Sequence, residues 1–209
     1  MKALILVDIQ NDFLPGGALA VPRGDEVLAP ACALEGVFRC VAATQDWHPP
    51  DHKSFAASHP GKKPGDVILL GGVEQVLWPV HCVQHTRGAE ISRVLDPERI
   101  TRVFPKGMDP DVDSYSGFFD NGRIHATGLD DWLKERGASE LYVAGLATDY
   151  CVRATALDAR KLGWTTSVVE DACRGVELRP GDAARALDEL RRSGVRTIDV
   201  ATAVDEASR

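Results

Sequence analysis

Six short apolar or alternating runs, at 3–7, 40–44, 100–104, 141–145, 166–170 and 196–200, recur along this chain with amphipathic segments between them. That alternation constrains the fold more than any other feature. Strands separated by helix-length segments pair in parallel through crossovers, and a parallel sheet needs cover on both faces. The expectation is an α/β fold: a single-domain, three-layer sandwich with a mostly parallel central sheet flanked by helices. The clearest helices are 128–136, where Leu129, Trp132 and Leu133 form one face, then 148–163, with Ala154, Leu157, Lys161 and Leu162 spaced by three or four, then 182–193, with Ala183, Ala184, Leu187 and Leu190. Gly137, Gly163 and Gly194 follow them as stop signals. A further helix is expected within 25–38, starting late or kinked because of Pro30.

Two stretches read as irregular: 14–24, rich in Gly and Pro, and 48–82, which contains Pro49-Pro50, Pro60-Gly61, Pro64-Gly65 and Gly71-Gly72. A loop as long as the second is usually functional in a compact domain. At 209 residues the chain fits one domain, 1–209, carrying that loop. A hydrophobic fraction of 44% with 26% charged residues excludes a disordered chain, and the net charge of −7 weighs against nucleic acid or an anionic membrane as partner. The apolar run at the first residues is too short for a signal peptide and is interrupted by Asp8, and no stretch approaches a membrane span. The 5 cysteines, Cys32, Cys40, Cys82, Cys151 and Cys173, form no C-x-x-C pair, so neither a disulfide framework nor a zinc ribbon is indicated and a reducing cytoplasm fits best.

Ligands of open parallel sheets lie beyond the carboxyl ends of the strands, so polar residues just after the expected strands carry weight. Asp8 ends the first, Asp46 and His48 the second, Lys106 follows the third and Cys151 the fourth. Cys151 falls in the first turn of the 148–163 helix, with Thr148 or Asp149 as N-cap. The free amides and positive dipole end there favour a thiolate below the free-thiol value of about 8.5. The plain alternative is a buried structural cysteine. Asp149, beside it, is expected to point away, capping the helix or meeting Arg153. Asp46 and His48, at i and i+2 in extended chain, share a face, as two ligands of one ion require. A third ligand could come from His52, His59, His81 or His85, giving a two-His, one-Asp site for Fe, Mn or Zn. Cys82, next to His81, lacks a helix start and is a poor nucleophile candidate.

Asp8-Ile9-Gln10-Asn11-Asp12-Phe13, Thr44-Gln45-Asp46-Trp47-His48-Pro49, Trp78-Pro79-x-His81-Cys82-Val83, Lys106-Gly107, Asp113-Ser114-Tyr115-Ser116-Gly117-Phe118 and Gly145-Leu146-Ala147-Thr148-Asp149-Tyr150-Cys151-Val152 together resemble the nicotinamidase/pyrazinamidase branch of the isochorismatase-like cysteine hydrolases, in order, from Met1 to about Glu177. The resemblance implies the isochorismatase-like hydrolase fold and hydrolysis of nicotinamide to nicotinate and ammonia through a cysteine thioester, as in NAD salvage, with pyrazinamide also accepted. It implies a catalytic triad of Asp8, Lys106 and Cys151, and an oxyanion hole from the amides of Ala147 and Cys151 beside a cis peptide between Leu146 and Ala147. It further implies a pyridine pocket of Phe13, Trp78 and Tyr115, and one divalent metal ion (Zn, Fe or Mn) on Asp46, His48 and His81. The loop region of about 46–85 then becomes a metal-binding loop. His52 stays outside that set, because its segment resembles one that supplies an additional ligand in some relatives and none in others. The partner implied is a small-molecule substrate, with a homo-oligomer left open. A related cysteine hydrolase of another small amide or carbamoyl compound is the alternative; it would share the triad without needing Asp46, His48 and His81.

Overall fold

The computed structural model describes residues 1–209. Six strands form one parallel sheet: β1 (Lys2–Val7), β2 (Val41–Asp46), β5 (Arg102–Lys106), β6 (Glu140–Leu146), β7 (Thr165–Arg174) and β8 (Arg196–Ile198), in the spatial order β5-β2-β1-β6-β7-β8. The chain builds leftward from β1 through β2 to β5, then returns to the other side of β1 with β6 and continues outward. That reversal leaves a switch point between β1 and β6, where the crossover connections diverge and a crevice opens beyond the strand ends. Their register pairs Leu6 with Ala144 and Val7 with Gly145.

Both faces of β1 are buried, which explains its continuous apolar run in place of an alternating one. Ala3, Ile5 and Val7 face a core shared with Leu129, Trp132 and Leu133 of α2 (Leu129–Glu135), Ala156 and Ala159 of α3 (Arg153–Lys161) and Leu190 of α4 (Asp182–Arg192). Leu4 and Leu6 face a second core with Ala31 and Leu34 of α1 (Leu28–Glu35) and Ala203 of α5 (Val200–Ala207). The result is three layers: α2, α3 and α4 on one side of the sheet, α1 and α5 on the other. No helix is long and apolar enough to cross a membrane.

Several local expectations need correction. The run 196–200 is not a strand throughout: β8 stops at Ile198, because Asp199 accepts a hydrogen bond from Thr202 N and caps α5. The stretch 48–82 contains a two-stranded antiparallel hairpin, β3 (Val67–Leu70) and β4 (Val73–Val76), with Gly71 and Gly72 both at positive φ in the turn. The segment 148–163 is a π turn over Thr148–Val152 followed by α3, not one regular helix, and neither Thr148 nor Asp149 caps it. The helix expected within 25–38 does start late: α1 begins at Leu28, so Pro30 sits in the first turn, where its missing N–H forfeits no helical bond.

Candidate active site

Four strand ends deliver the polar side chains. Asp8 follows β1 in a left-handed conformation (φ 49°), Asp46 closes β2, Lys106 closes β5, and the π turn after β6 carries Cys151. Lys106 is 2% exposed, so its ammonium must find its partners inside the protein. It lies 2.9 Å from Asp8 Oδ2, makes a very short contact to Asp46 Oδ1, donates to Ser114 O at 2.8 Å and reaches Cys151 Sγ at 3.5 Å. Burial opposes its charge, but Asp46 and Asp8 prevail and raise its pKa well above the ordinary value. Asp8 also accepts from Thr44 Oγ1 at 2.6 Å. Oxygens of Asp8 and Asp46 and the sulfur of Cys151 all lie within 4.8 Å of one another.

The expectation of a Cys151 thiol below its free value is overturned. Burial pushes it well above, and the carboxylates of Asp8 and Asp46 add to that, outweighing the Lys106 ammonium. Burial likewise raises Asp8, from 3.8 to about 6, against the pull of Lys106. Asp149 does point away from the sulfur, but toward neither Arg153 nor a helix cap: it accepts from Val176 N at 2.9 Å and Glu177 N at 2.8 Å. The Leu146–Ala147 peptide is cis. The Ala147 N–H has no acceptor elsewhere in the protein, while its carbonyl accepts from Tyr150 N and Val152 N.

Beside this cluster, Asp46 Oδ2 lies 3.7 Å from His48 Nε2 and 3.9 Å from His81 Nε2. Each imidazole turns its other nitrogen to a backbone carbonyl, His48 Nδ1–H to Gly107 O at 2.9 Å and His81 Nδ1–H to Pro79 O at 2.8 Å. Both Nε2 atoms therefore face the Asp46 oxygen; burial opposes charge on His48, but Asp46 prevails and raises its pKa, and a divalent cation would take the place of that proton. Burial and the neighbouring His48 bring His81 down to about 4, which keeps it neutral and able to coordinate at neutral pH. Gly107 is required here: its φ is +64°, and a Cβ would run into the His48 ring. Gly145, at φ +124°, likewise lets β6 approach Val7 O.

Among the four histidines that could have completed this group, only His81 does. His59 donates to Lys53 O, and His85 packs edge-on against Trp47. His52 stands 4.4 Å from the His48 ring, with Nδ1 bonded to Ser54 Oγ and Nε2 without a partner, and it groups with His48 and Asp113. Cys82 is fully buried, well above its ordinary pKa because of that burial, and its N–H donates to Asp12 Oδ2 at 2.7 Å, which secures the chain next to His81.

A narrow cleft joins the two clusters. Phe13, Trp78, Tyr115 and Ala147 line it together with Cys151, Asp46, His48 and His81. Leu19, Asp113, Tyr150 and Val176 also line it and were not foreseen from the sequence. Tyr150 could have been, since it lies one residue before Cys151; in the structure its ring meets Trp78 at 4.8 Å and Tyr115 at 5.4 Å. Gln10, a member of the first motif, clamps the Asp46 backbone with its side chain, accepting from Asp46 N and donating to Asp46 O at 2.8 Å each. The cleft thus combines a buried thiol, a cation-ready donor set and flat aromatic walls, with the Lys106 ammonium 3.5 Å from the sulfur and an oxygen of Asp8, the carboxylate of raised pKa, within 4.8 Å of it.

Residues 2–202 match the family model described as the isochorismatase domain. A nicotinamidase of Escherichia coli (strain K12) is 50% identical over 199 residues, spanning 92% of this chain and 92% of that protein. A solved Acinetobacter baumannii nicotinamidase/pyrazinamidase superposes with a TM-score of 0.93 at 45% identity, over 96% of this chain and 97% of the other. The pyrazinamidase of Pyrococcus horikoshii, solved in complex with zinc, gives a TM-score of 0.75 at 38% identity, over 95% and 98% of the two chains. On the family match and this level of identity along almost the whole length, the chain belongs to the isochorismatase family.

Proposed function

We propose that the protein is a nicotinamidase, hydrolysing nicotinamide to nicotinate and ammonia with Cys151 as nucleophile. The observation that carries this reading is one cleft holding both a thiol 3.5 Å from a buried lysine and the Asp46, His48 and His81 donor set. A hydrolase of simpler carbamoyl compounds would need the first but not the second. The similarity to nicotinamidases supports the same substrate.

In the proposed mechanism, Asp8 accepts the Cys151 proton as the sulfur attacks the carboxamide carbon. Raising Asp8 from 3.8 to about 6 makes it a stronger base for that transfer, which partly offsets the raised pKa of the buried thiol. The thiol stays protonated at rest and becomes a thiolate only as the substrate carbon arrives. The Ala147 amide, without an acceptor of its own, and the Cys151 amide receive the oxyanion. Asp8 then returns the proton to the departing nitrogen, ammonia leaves, and a thioester remains on Cys151. Water attacks the thioester, giving up its proton to Asp8, and nicotinate leaves as the thiol reforms. Lys106 stays charged throughout and holds Asp8 beside the sulfur. Phe13, Trp78 and Tyr115 enclose the flat ring.

Asp46, His48 and His81 would hold one divalent metal, zinc, iron or manganese; when bound, it supplies an open coordination position that orients the ring nitrogen directly or through water. Pyrazinamide, with the same ring shape and carboxamide, is expected as a second substrate. The 5 free cysteines support a reducing, cytoplasmic setting, and the product acid supports a place in NAD salvage. The test is ammonia release from nicotinamide by the purified, metal-loaded protein: turnover that disappears in Cys151→Ala is expected, and absence of turnover by the parent chain overturns the reading.

A further inference from the structure

Gln75 is the one fully enclosed residue of the β3–β4 hairpin. It is 2% exposed, while Val67 and Leu69 on the facing strand are 54% and 72% exposed. A glutamine side chain is costly to bury unless its amide is satisfied, so its partners show why it is there. Its two amide hydrogens are shared among Val76 O and Asp113 Oδ2, both at 2.8 Å, and Tyr115 Oη at 3.0 Å. Its carbonyl accepts from Asn121 Nδ2 at 3.3 Å, and Asn121 Oδ1 accepts in turn from Tyr115 N at 3.0 Å. Trp78 Nε1–H donates to the same Tyr115 hydroxyl at 3.1 Å.

The amide therefore closes a ring of bonds around Tyr115 and reaches Trp78 through it, yet Gln75 does not itself line the cleft. Tyr115, Trp78 and Asp113 do. Without Gln75, the Tyr115 hydroxyl would lose one of the two donors that fix its position, and one oxygen of Asp113 would lose its donor. Lys106 would be little affected, because Asp8 and Asp46 hold its ammonium independently.

We propose that Gln75 is a positioning residue that sets the Trp78–Tyr115 wall from outside the cleft and so fixes the affinity for a flat heteroaromatic carboxamide. The proposal rests on the nicotinamidase reading for its substrate, but not for its structural readout. The variant is Gln75→Met, which keeps the length of the side chain and removes every bond made by the amide. Two measurements are made on the metal-loaded protein: steady-state kinetics with nicotinamide, and hydrogen exchange of the indole N–H groups, with the Trp78 signal assigned from Trp78→Phe. Trp164 Nε1–H, which donates to Asp130 Oδ1 at 2.9 Å, with neither residue lining the cleft, serves as the internal control.

The expected result is a KM raised about tenfold, equivalent to ~1.4 kcal/mol, with kcat within about threefold of the parent. Exchange at Trp78 should be faster by about tenfold or more, with Trp164 unchanged. Unchanged exchange at Trp78 overturns the proposal, as does acceleration at Trp164 in step with Trp78, which would mean general loosening. A fall in kcat at constant KM also overturns it. If the parent chain fails to release ammonia from nicotinamide, the functional reading falls, and the indole exchange alone still decides whether Gln75 holds the wall.

Discussion

Lys106 Nζ lies 2.9 Å from Asp8 Oδ2 with neither side chain exposed to solvent. Asp46 shares the same ammonium, so one cation separates two buried carboxylates. Removing it would leave both anions in a low-dielectric interior without compensation. Lys106→Met should lose about 3–5 kcal/mol of stability in denaturant unfolding, together with at least ~10²-fold in nicotinamide turnover. A variant that melts like the parent would show that the three charges do not interact as the distances require.

Asp8 both raises the Cys151 pKa and, in the mechanism above, serves as its base. The two effects separate in Asp8→Asn. Removing the carboxylate leaves Lys106 to act on the sulfur with less opposition, so the thiol pKa falls and alkylation by iodoacetamide at pH 8 becomes faster than in the parent. Turnover nonetheless falls by at least ~10²-fold, because no group takes the proton. Slower or unchanged alkylation would contradict the charge arrangement, and turnover close to that of the parent would point to a different base.

The raised pKa of Asp8 sets an acidic limb. As pH falls through about 6, Asp8 takes up a proton and can no longer accept one from Cys151, so kcat/KM should decline with a midpoint near that value. The same shift affects stability with a defined sign. The folded state holds this proton more tightly than the unfolded chain, so the contribution of Asp8 to stability diminishes as pH rises from about 3.8 to about 6. Asp46 has the opposite sign: despite its burial, Lys106 and His48 keep it well below the usual carboxylate range, so its contribution is present above its unfolded pKa and is lost in acid. A pH–rate profile of the metal-loaded parent whose acidic limb falls below pH 5 would refute the Asp8 assignment.

Metal binding should be visible without any assay of activity. At a free zinc concentration of about 100 times the dissociation constant, binding to the folded state alone adds ~2.7 kcal/mol, or about 5–10 °C in Tm for a chain of this size. His81→Ala should abolish that increment while leaving the chelated protein close to the parent in Tm. Calorimetric scans with and without chelator check both. An undiminished zinc shift in His81→Ala would place the ion elsewhere, with the His48, His52 and Asp113 group as the next site to examine.

The sequence made the six sheet strands and most of the helices legible because burial on both faces leaves apolar runs and amphipathic segments that local pattern reports directly. It was silent where the pattern is too short or too similar to its alternatives. The two strands of the β3–β4 hairpin are exposed or half-buried throughout apart from Gln75, and its Gly71-Gly72 turn looks like any other loop punctuation. A π turn and an α-helix place their first apolar residues alike, so Thr148–Val152 could not be told from the start of α3. At the site, residue identity and order at the strand ends were readable, and so was a choice of four histidines. The pKa of Cys151 was not, because it depends on enclosure by Asp8 and Asp46, which come from other strands.

The switch point between β1 and β6 has a consequence for how the chain acquires its structure. Lys2 pairs with Glu140 and Val7 with Gly145, so β1 has one edge open until β6, 138 residues further along, has been made. Such long-range parallel pairing slows folding and leaves an apolar strand edge available for aggregation in the meantime. Asp8 and Cys151 flank that same seam, so a thiol held beside its base marks completion of the sheet. Truncated or partly folded chains should contain an ordinary, solvent-titrating cysteine in its place.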